Sequence, residues 1–167
     1  MQRLENSRWG FESNCFVCEA ANPAGLGLEF FVDADDQAVV AEFSLDERFS
    51  GAPSYVHGGV VLAVLDEAMA WATIALAGSF AVTKETTTRF RAPVQVGGAH
   101  RVRAEVEEDR GHELRCRAEV TDRDGALCAT ASATFVPLGP AQAVDAIGAT
   151  VTGDDLRYLR DTAAAER

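Results

Sequence analysis

From Val60 to Ala77 the only polar residues are Asp66, Glu67 and Thr73, so an otherwise apolar run carries two adjacent carboxylates. An ionised carboxylate in an apolar interior costs on the order of several kcal/mol unless it is paired, hydrogen-bonded or neutralised. A chain that keeps two of them there has a use for them. Their position near the middle of the run argues against a membrane span and for a buried helix. That helix is expected from about Gly58 to Ala77, with Gly78 as its stop. A helix apolar on every side needs cover on every side. The dry face of a sheet supplies part of it and a second copy of the chain the rest, with Ala63, Ala68, Ala70, Ala72 and Ala75 permitting close approach.

The second half of the chain alternates with period two. Arg101, Arg103, Glu105 and Glu107 interleave with Val102, Ala104 and Val106, and Glu113, Arg115, Arg117 and Glu119 with Leu114, Cys116, Ala118 and Val120. Each segment is a strand with one wet and one dry face. Residues 85–91 supply a preceding strand and 127–135 a following one, joined through turns at Gly97-Gly98, Arg110-Gly111 and Asp124-Gly125 as an antiparallel meander. Earlier, residues 26–32 and 38–45 read as a hairpin after the Asn22-Pro23-Ala24-Gly25 turn. Residues 49–56, with Gly51, Pro53 and Ser54, end that pairing and lead into the helix. The order predicts an α+β domain, an antiparallel sheet wrapped around one central helix, over residues 1–137 with an irregular N-terminal segment. Residues 138–167 read as a tail, either a surface appendage or partly disordered, with a short helix begun by Thr152 and Asp155 and carrying Leu156 and Leu159.

Length and composition, 167 residues with 47% hydrophobic and 25% charged, fit one soluble domain. The formal charge of −11 disfavours nucleic acid and anionic membranes as partners. Four cysteines, with no apolar run behind the N-terminal basic residue, fit a reducing cytoplasm better than a disulfide framework. Cys116 and Cys128 fall in strand alternation and read as buried thiols. Cys15-Phe16-Val17-Cys18 has the spacing of a metal pair, but no second closely spaced Cys/His pair follows, so it reads as a turn with two packed thiols and no metal is expected.

Over residues 15 to 137 the chain resembles the hotdog-fold acyl-CoA thioesterases of the phenylacetate-pathway and Them-like branch. The resemblance rests on Cys15-Phe-Val-Cys18 with Asn22-Pro23-Ala24-Gly25-Leu26, and on His57-Gly58-Gly59 with Asp66 nine positions after the histidine. Thr83, the Phe90-Arg91-Ala92-Pro93-Val94 segment and the Asp124-Gly125 turn complete the set. It implies a hotdog fold, a homodimer or dimer of dimers, an acyl-CoA substrate and no cofactor. It also implies Asp66 as nucleophile or general base, Gly58 as the oxyanion-hole amide and, with a one-residue gap, Thr83 as the residue orienting the attacking water. Gly51 is a departure, since several relatives carry Asn or a similar polar residue six positions before the histidine.

Thioester hydrolysis needs a group that delivers or activates water and a positive field where the carbonyl oxygen gains charge. Gly58 and Gly59 supply free amides at a helix start, where the dipole is positive and no Cβ blocks a carbonyl, or else merely make a tight turn into the helix. Asp66 is ionised near neutral pH without tuning, its reference pKa being about 3.9, and serves as base or nucleophile unless it is tied to threonine side chains. Glu67, about 100° round the helix, is the second catalytic candidate and otherwise an interface ion-pair or hydrogen-bonding residue. His57 caps the helix, contacts substrate or packs. Lys84, Arg89 and Arg91 are the local cations for the coenzyme A phosphates, or an ordinary charged strand face. The competing functions are a hotdog hydratase or dehydratase, whose Asp-x-Asn-Pro-x-x-His signature is absent, and a noncatalytic acyl-CoA-binding module, against which the buried carboxylate argues.

Overall fold

The structure, a computed structural model, describes residues 1–9, 13–148 and 150–160. Its strands are β1 (Gln2–Leu4), β2 (Phe30–Asp33), β3 (Ala38–Phe43), β4 (Ser50–Ala52), β5 (Tyr55–Val56), β6 (Ala81–Phe90), β7 (His100–Asp109), β8 (Leu114–Asp122) and β9 (Leu127–Pro137). Its α-helices are α1 (Gly58–Ala75) and α2 (Pro140–Ile147). Seven strands form one antiparallel sheet in the order β1-β2-β3-β7-β8-β9-β6, and β4 and β5 form a small separate hairpin. The long helix α1 lies against β3, β6, β7, β8 and β9, which is the hotdog arrangement.

The sheet's inner face is built largely of small residues. Ala104 opposes Ala118, which opposes Ala131; Cys116 opposes Ala133, and Val120 opposes Ala129. All are buried, and their short side chains let α1 approach while its own Val61, Val64, Leu65, Ala68, Met69 and Ala72 fill the space between. Burial of a Leu or Met side chain there contributes roughly 1.5–3 kcal/mol. By length and composition α1 is apolar enough to cross a membrane, but here it is the core helix of the sheet. Leu62, Ala63, Asp66 and Ala70 are only half-buried and form one stripe along the helix that the sheet leaves partly uncovered.

Several boundaries differ from the sequence reading. The helix ends at Ala75, Leu76 caps it, and Gly78 at φ +60 then turns the chain, its N–H bonding Ile74 O. Residues 26–29 are not in β2; Leu26 and Leu28 donate instead to Phe16 O and Val17 O, holding the cysteine turn in place. Residues 50–56 form the β4–β5 hairpin, after a 3-10 turn over Glu47–Phe49, rather than a plain connection. Strand β6 starts four residues earlier than expected because Ala81, Val82 and Thr83 pair with Pro137, Val136 and Phe135.

After Pro137 the chain is packed rather than loose as far as it is described. Helix α2 was not expected, and Ala143 on it joins Phe80, Leu138 and Tyr158 in a second apolar cluster. The helix anticipated from Thr152 is a 3-10 turn over Gly153–Tyr158, and the Thr152 side chain makes no capping bond. Residues 161–167 of that expected helix lie outside the described residues. Arg160 bonds both Asp109 oxygens and, at 2.8 Å, the Ala77 carbonyl just beyond α1.

Candidate active site

Helix α1 starts at His57, and the cap decides which amides remain available. His57 Nδ1 accepts the Gly59 N–H at 2.9 Å, while the His57 carbonyl accepts from Val60 and Val61. The Gly58 N–H donates to no group among the described residues. It is thus a free donor at the positive end of the helix dipole. The His57 N–H is fixed to Phe49 O at 2.8 Å, and Gly51 packs so closely that a Cβ there would lie 2.9 Å from His57 Cα. Gly51 therefore stands where any side chain would displace the cap. A Cβ on Gly58 would lie 3.4 Å from the Phe90 ring. Gly58 lines a cavity of about 360 Å³ with Tyr55, Val61, Phe90, Pro93 and Val94, and Arg91 is on its wall.

Asp66 lies on the same helix, eight residues after Gly58, and Thr83 Oγ1 donates to its Oδ1 at 2.9 Å. Burial raises the Asp66 pKa, and the threonine hydroxyl, by bonding the charged form, lowers it; the net direction is up. Thr83 reaches the helix because β6 carries a bulge at Lys84: Thr83 opposes Phe135, and Glu85 already opposes Thr134. Past the bulge, Thr86 and Thr88 oppose Ala133 and Ala131 on the helix side, where their hydroxyl oxygens are buried without a partner.

Glu67 turns away from Asp66, toward the N-terminal segment. Its carboxylate and the sulfurs of Cys15 and Cys18 all lie within 4.8 Å of one another. Burial first, then the neighbouring Cys15 sulfur, pushes the Glu67 carboxyl up to about 7. Of the remaining residues, Gly59 has its amide committed to His57, and Lys84 is ion-paired with Glu113. Arg89 and Arg91 are exposed on either side of Phe90 and form no ion pair among the described residues. Met69 and Trp71, on the same helix, are buried in the core. The sequence reading gave no role to Phe90 against Gly58 or to Tyr55, and it did not bring Glu67 to the cysteines. Phe90 stood in the motif that carried the resemblance, whereas the Glu67 contact has no local signature.

Residues 54–129 match the model of the thioesterase superfamily. They run from the β4–β5 turn through α1 to the start of β9 and include His57, Gly58, Asp66 and Thr83. Acyl-coenzyme A thioesterase THEM4 of Xenopus laevis is 24% identical over 119 residues, 70% of this chain and 53% of that protein. The chain thus spans about half the length of this curated relative. A putative thioesterase of Ralstonia eutropha JMP134, a phenylacetic acid degradation-related protein, is 28% identical with a TM-score of 0.59, over 66% of this chain and 85% of that one. A hypothetical thioesterase protein from Streptococcus pneumoniae TIGR4, solved with coenzyme A, is 17% identical with a TM-score of 0.62, over 67% and 86% of the two chains.

Proposed function

We propose that the chain, whose residues 54–129 match the model of the thioesterase superfamily, hydrolyses an acyl-CoA thioester to the free acid and coenzyme A, in the cytoplasm, as a homodimer or dimer of dimers. The observation that carries this reading is the unpartnered Gly58 amide at the start of α1, beside the cavity it lines with Phe90 and Val61. A thioester carbonyl bonded to that amide has its developing negative charge met by a donor and a helix dipole already in place. The curated relative named as an acyl-coenzyme A thioesterase and the coenzyme A in the pneumococcal structure support coenzyme A as the carrier.

Asp66 and Gly58 of one chain do not serve one carbonyl. Eight helical residues separate their Cα atoms by about 12 Å, whereas attack takes place at about 3–3.5 Å. Asp66 of the partner subunit reaches the Gly58 amide when two α1 helices lie antiparallel across a two-fold axis, along the stripe of Leu62, Ala63, Asp66 and Ala70 that the sheet leaves half-buried. Asp66 then takes a proton from a water held with the Thr83 hydroxyl, and the water oxygen bonds the carbonyl carbon. The tetrahedral intermediate collapses with loss of the C–S bond, and the proton on Asp66 passes to the coenzyme A sulfur. Arg89 and Arg91 meet the phosphates from the rim of the cavity.

The test is a panel of aliphatic and aromatic acyl-CoA esters assayed for thiol release by the wild type and Asp66→Asn. Release from at least one ester by the wild type, with loss in the variant, supports the reading. Tight acyl-CoA binding without release from any ester replaces it with a noncatalytic binding role.

A further inference from the structure

The Cys15–Cys18 turn is shaped around a sulfur. Cys15 Sγ accepts the backbone N–H groups of Val17 at 3.3 Å and Cys18 at 3.5 Å, and Cys18 Sγ accepts from Asn6 Nδ2 at 3.2 Å. The turn itself is fixed by Leu26 N donating to Phe16 O at 2.7 Å and Leu28 N to Val17 O at 2.8 Å. Three N–H donors aimed at the two sulfurs form the kind of shell that holds a metal-bound thiolate in place. Glu67 brings a carboxyl group to the same place, and it forms no ion pair with a Lys, Arg or His among the described residues. Two sulfurs and a carboxyl group thus gather in one half-buried place with no protein cation ion-paired to the carboxyl among the described residues. A disulfide between the cysteines would consume both sulfurs and leave the Glu67 carboxylate without a partner; a divalent cation satisfies all three groups.

We propose that Cys15, Cys18 and Glu67 bind one zinc-class divalent cation, with the fourth position taken by water. Two thiolates and a carboxylate are a donor set suited to zinc, and three protein ligands with an open position are an accepted coordination. Donors about 2.3 Å from a tetrahedral ion stand about 3.8 Å apart, so atoms already within 4.8 Å close on the ion by small rotations. A cavity of about 210 Å³ lined by Leu4, Asn6, Cys18, Leu28 and Trp71 gives ion and water a way in to Cys18. The site joins the N-terminal segment to α1 at the residue after Asp66, on the side of the helix away from Thr83. Its role is to pin that segment to the helix, and its occupancy is independent of whether the chain hydrolyses thioesters.

The experiment titrates reduced, chelator-stripped full-length protein with Co²⁺ and then Zn²⁺. One equivalent of Co²⁺ should produce a thiolate-to-cobalt charge-transfer band with tetrahedral d–d absorption, Zn²⁺ should bleach it, and Zn²⁺ should raise the melting temperature. Glu67→Gln and Cys18→Ser, each checked for native circular dichroism, should weaken binding at least about 100-fold, and Cys128→Ala should leave it unchanged. Absence of the charge-transfer band in reduced wild type overturns the proposal. So does a band that persists at unchanged affinity in Glu67→Gln, which would reduce the site to two thiolates.

Discussion

Thr83 Oγ1 holds Asp66 Oδ1 at 2.9 Å, tying the edge strand of the sheet to the middle of its central helix. Two opposing effects meet at this carboxylate, burial favouring the neutral form and the hydroxyl favouring the charged one. A general base has to be charged and aimed, and the threonine contributes to both. Asp66→Asn should lower turnover at least about 100-fold with fold and acyl-CoA binding kept, and Thr83→Val should lower it about 10-fold, mostly in kcat. Glu67→Gln, whose side chain points to Cys15 and Cys18, should do much less. Steady-state kinetics on the three variants decides the assignment; a dead Glu67 variant beside an active Asp66 variant would reverse it.

The cations near the cavity differ in availability. Lys84 is occupied by Glu113, whereas Arg89 and Arg91 are exposed and flank the Phe90 that meets Gly58. Contacts to phosphates distant from the reacting carbonyl contribute binding that is equal in ground and transition states. Arg89→Ala and Arg91→Ala should therefore raise KM several-fold with kcat nearly constant, most visibly at low salt, and Lys84→Ala should change little. Unchanged KM in both arginine variants would take them out of the substrate path.

Arg160 predicts how the protein responds to acid. By donating to both carboxylate oxygens it holds the Asp109 pKa below the ordinary carboxylate value, against a smaller opposing effect of burial. A carboxyl depressed on folding stabilises the native state above its unfolded pKa of about 3.9, and that stabilisation is lost as pH falls through the folded pKa. Asp109 is 42% exposed, so solvent screening keeps the contribution to about 0.5–1 kcal/mol. Arg160→Gln should be less stable than wild type by about that much at neutral pH, plus the loss of the bond to the Ala77 carbonyl. Denaturant melts at stepwise lower pH should show the gap narrowing below pH of about 4 to the pH-independent part. A gap constant with pH would mean that the ion pair adds nothing to folding.

The helix and the meander were legible because their patterns are periodic and local: one long apolar run with a glycine stop, and strands whose wet and dry residues alternate. Asp66 and Gly58 were legible for a related reason, a polar pair and a glycine pair being conspicuous in an apolar segment. Thr83 was legible only through the resemblance, because its contact with Asp66 depends on a bulge in β6, and a bulge leaves the composition of a strand unchanged. Helix α2 is only eight residues long and begins directly at the Gly139-Pro140 pair that reads as a break, so the short apolar stripe of Ala143, Val144 and Ile147 is masked by it. The meeting of Glu67 with Cys15 and Cys18 joins segments about fifty residues apart along the chain, and only the fold brings them together.

The geometry of α1 makes its strongest prediction about assembly. The helix is unbroken from Gly58 to Ala75, so the separation of about 12 Å between the Gly58 and Asp66 Cα atoms holds within each chain. The lean of side chains toward the helix start shortens the gap by too little to bring a carboxylate to a carbonyl held at the Gly58 amide. In the proposed dimer, active sites made of Gly58 from one chain and Asp66 from another can be taken apart and rebuilt. Asp66→Asn removes the base. Gly58→Pro removes the free N–H at a helix-start position where proline is tolerated, and its Cβ would meet the Phe90 ring at 3.4 Å, an ordinary contact. Each variant alone should be inactive. In a mixed dimer one site combines an intact Gly58 with an intact Asp66, and the other carries both lesions. Random pairing makes about half the dimers mixed, so unfolding and refolding an equal mixture should restore about a quarter of wild-type activity. Native mass spectrometry counts the mixed dimers and thiol release counts the sites. Mixed dimers in the expected number with no activity would mean that each chain builds its site alone, by a route other than Gly58 and Asp66 meeting across the two-fold axis.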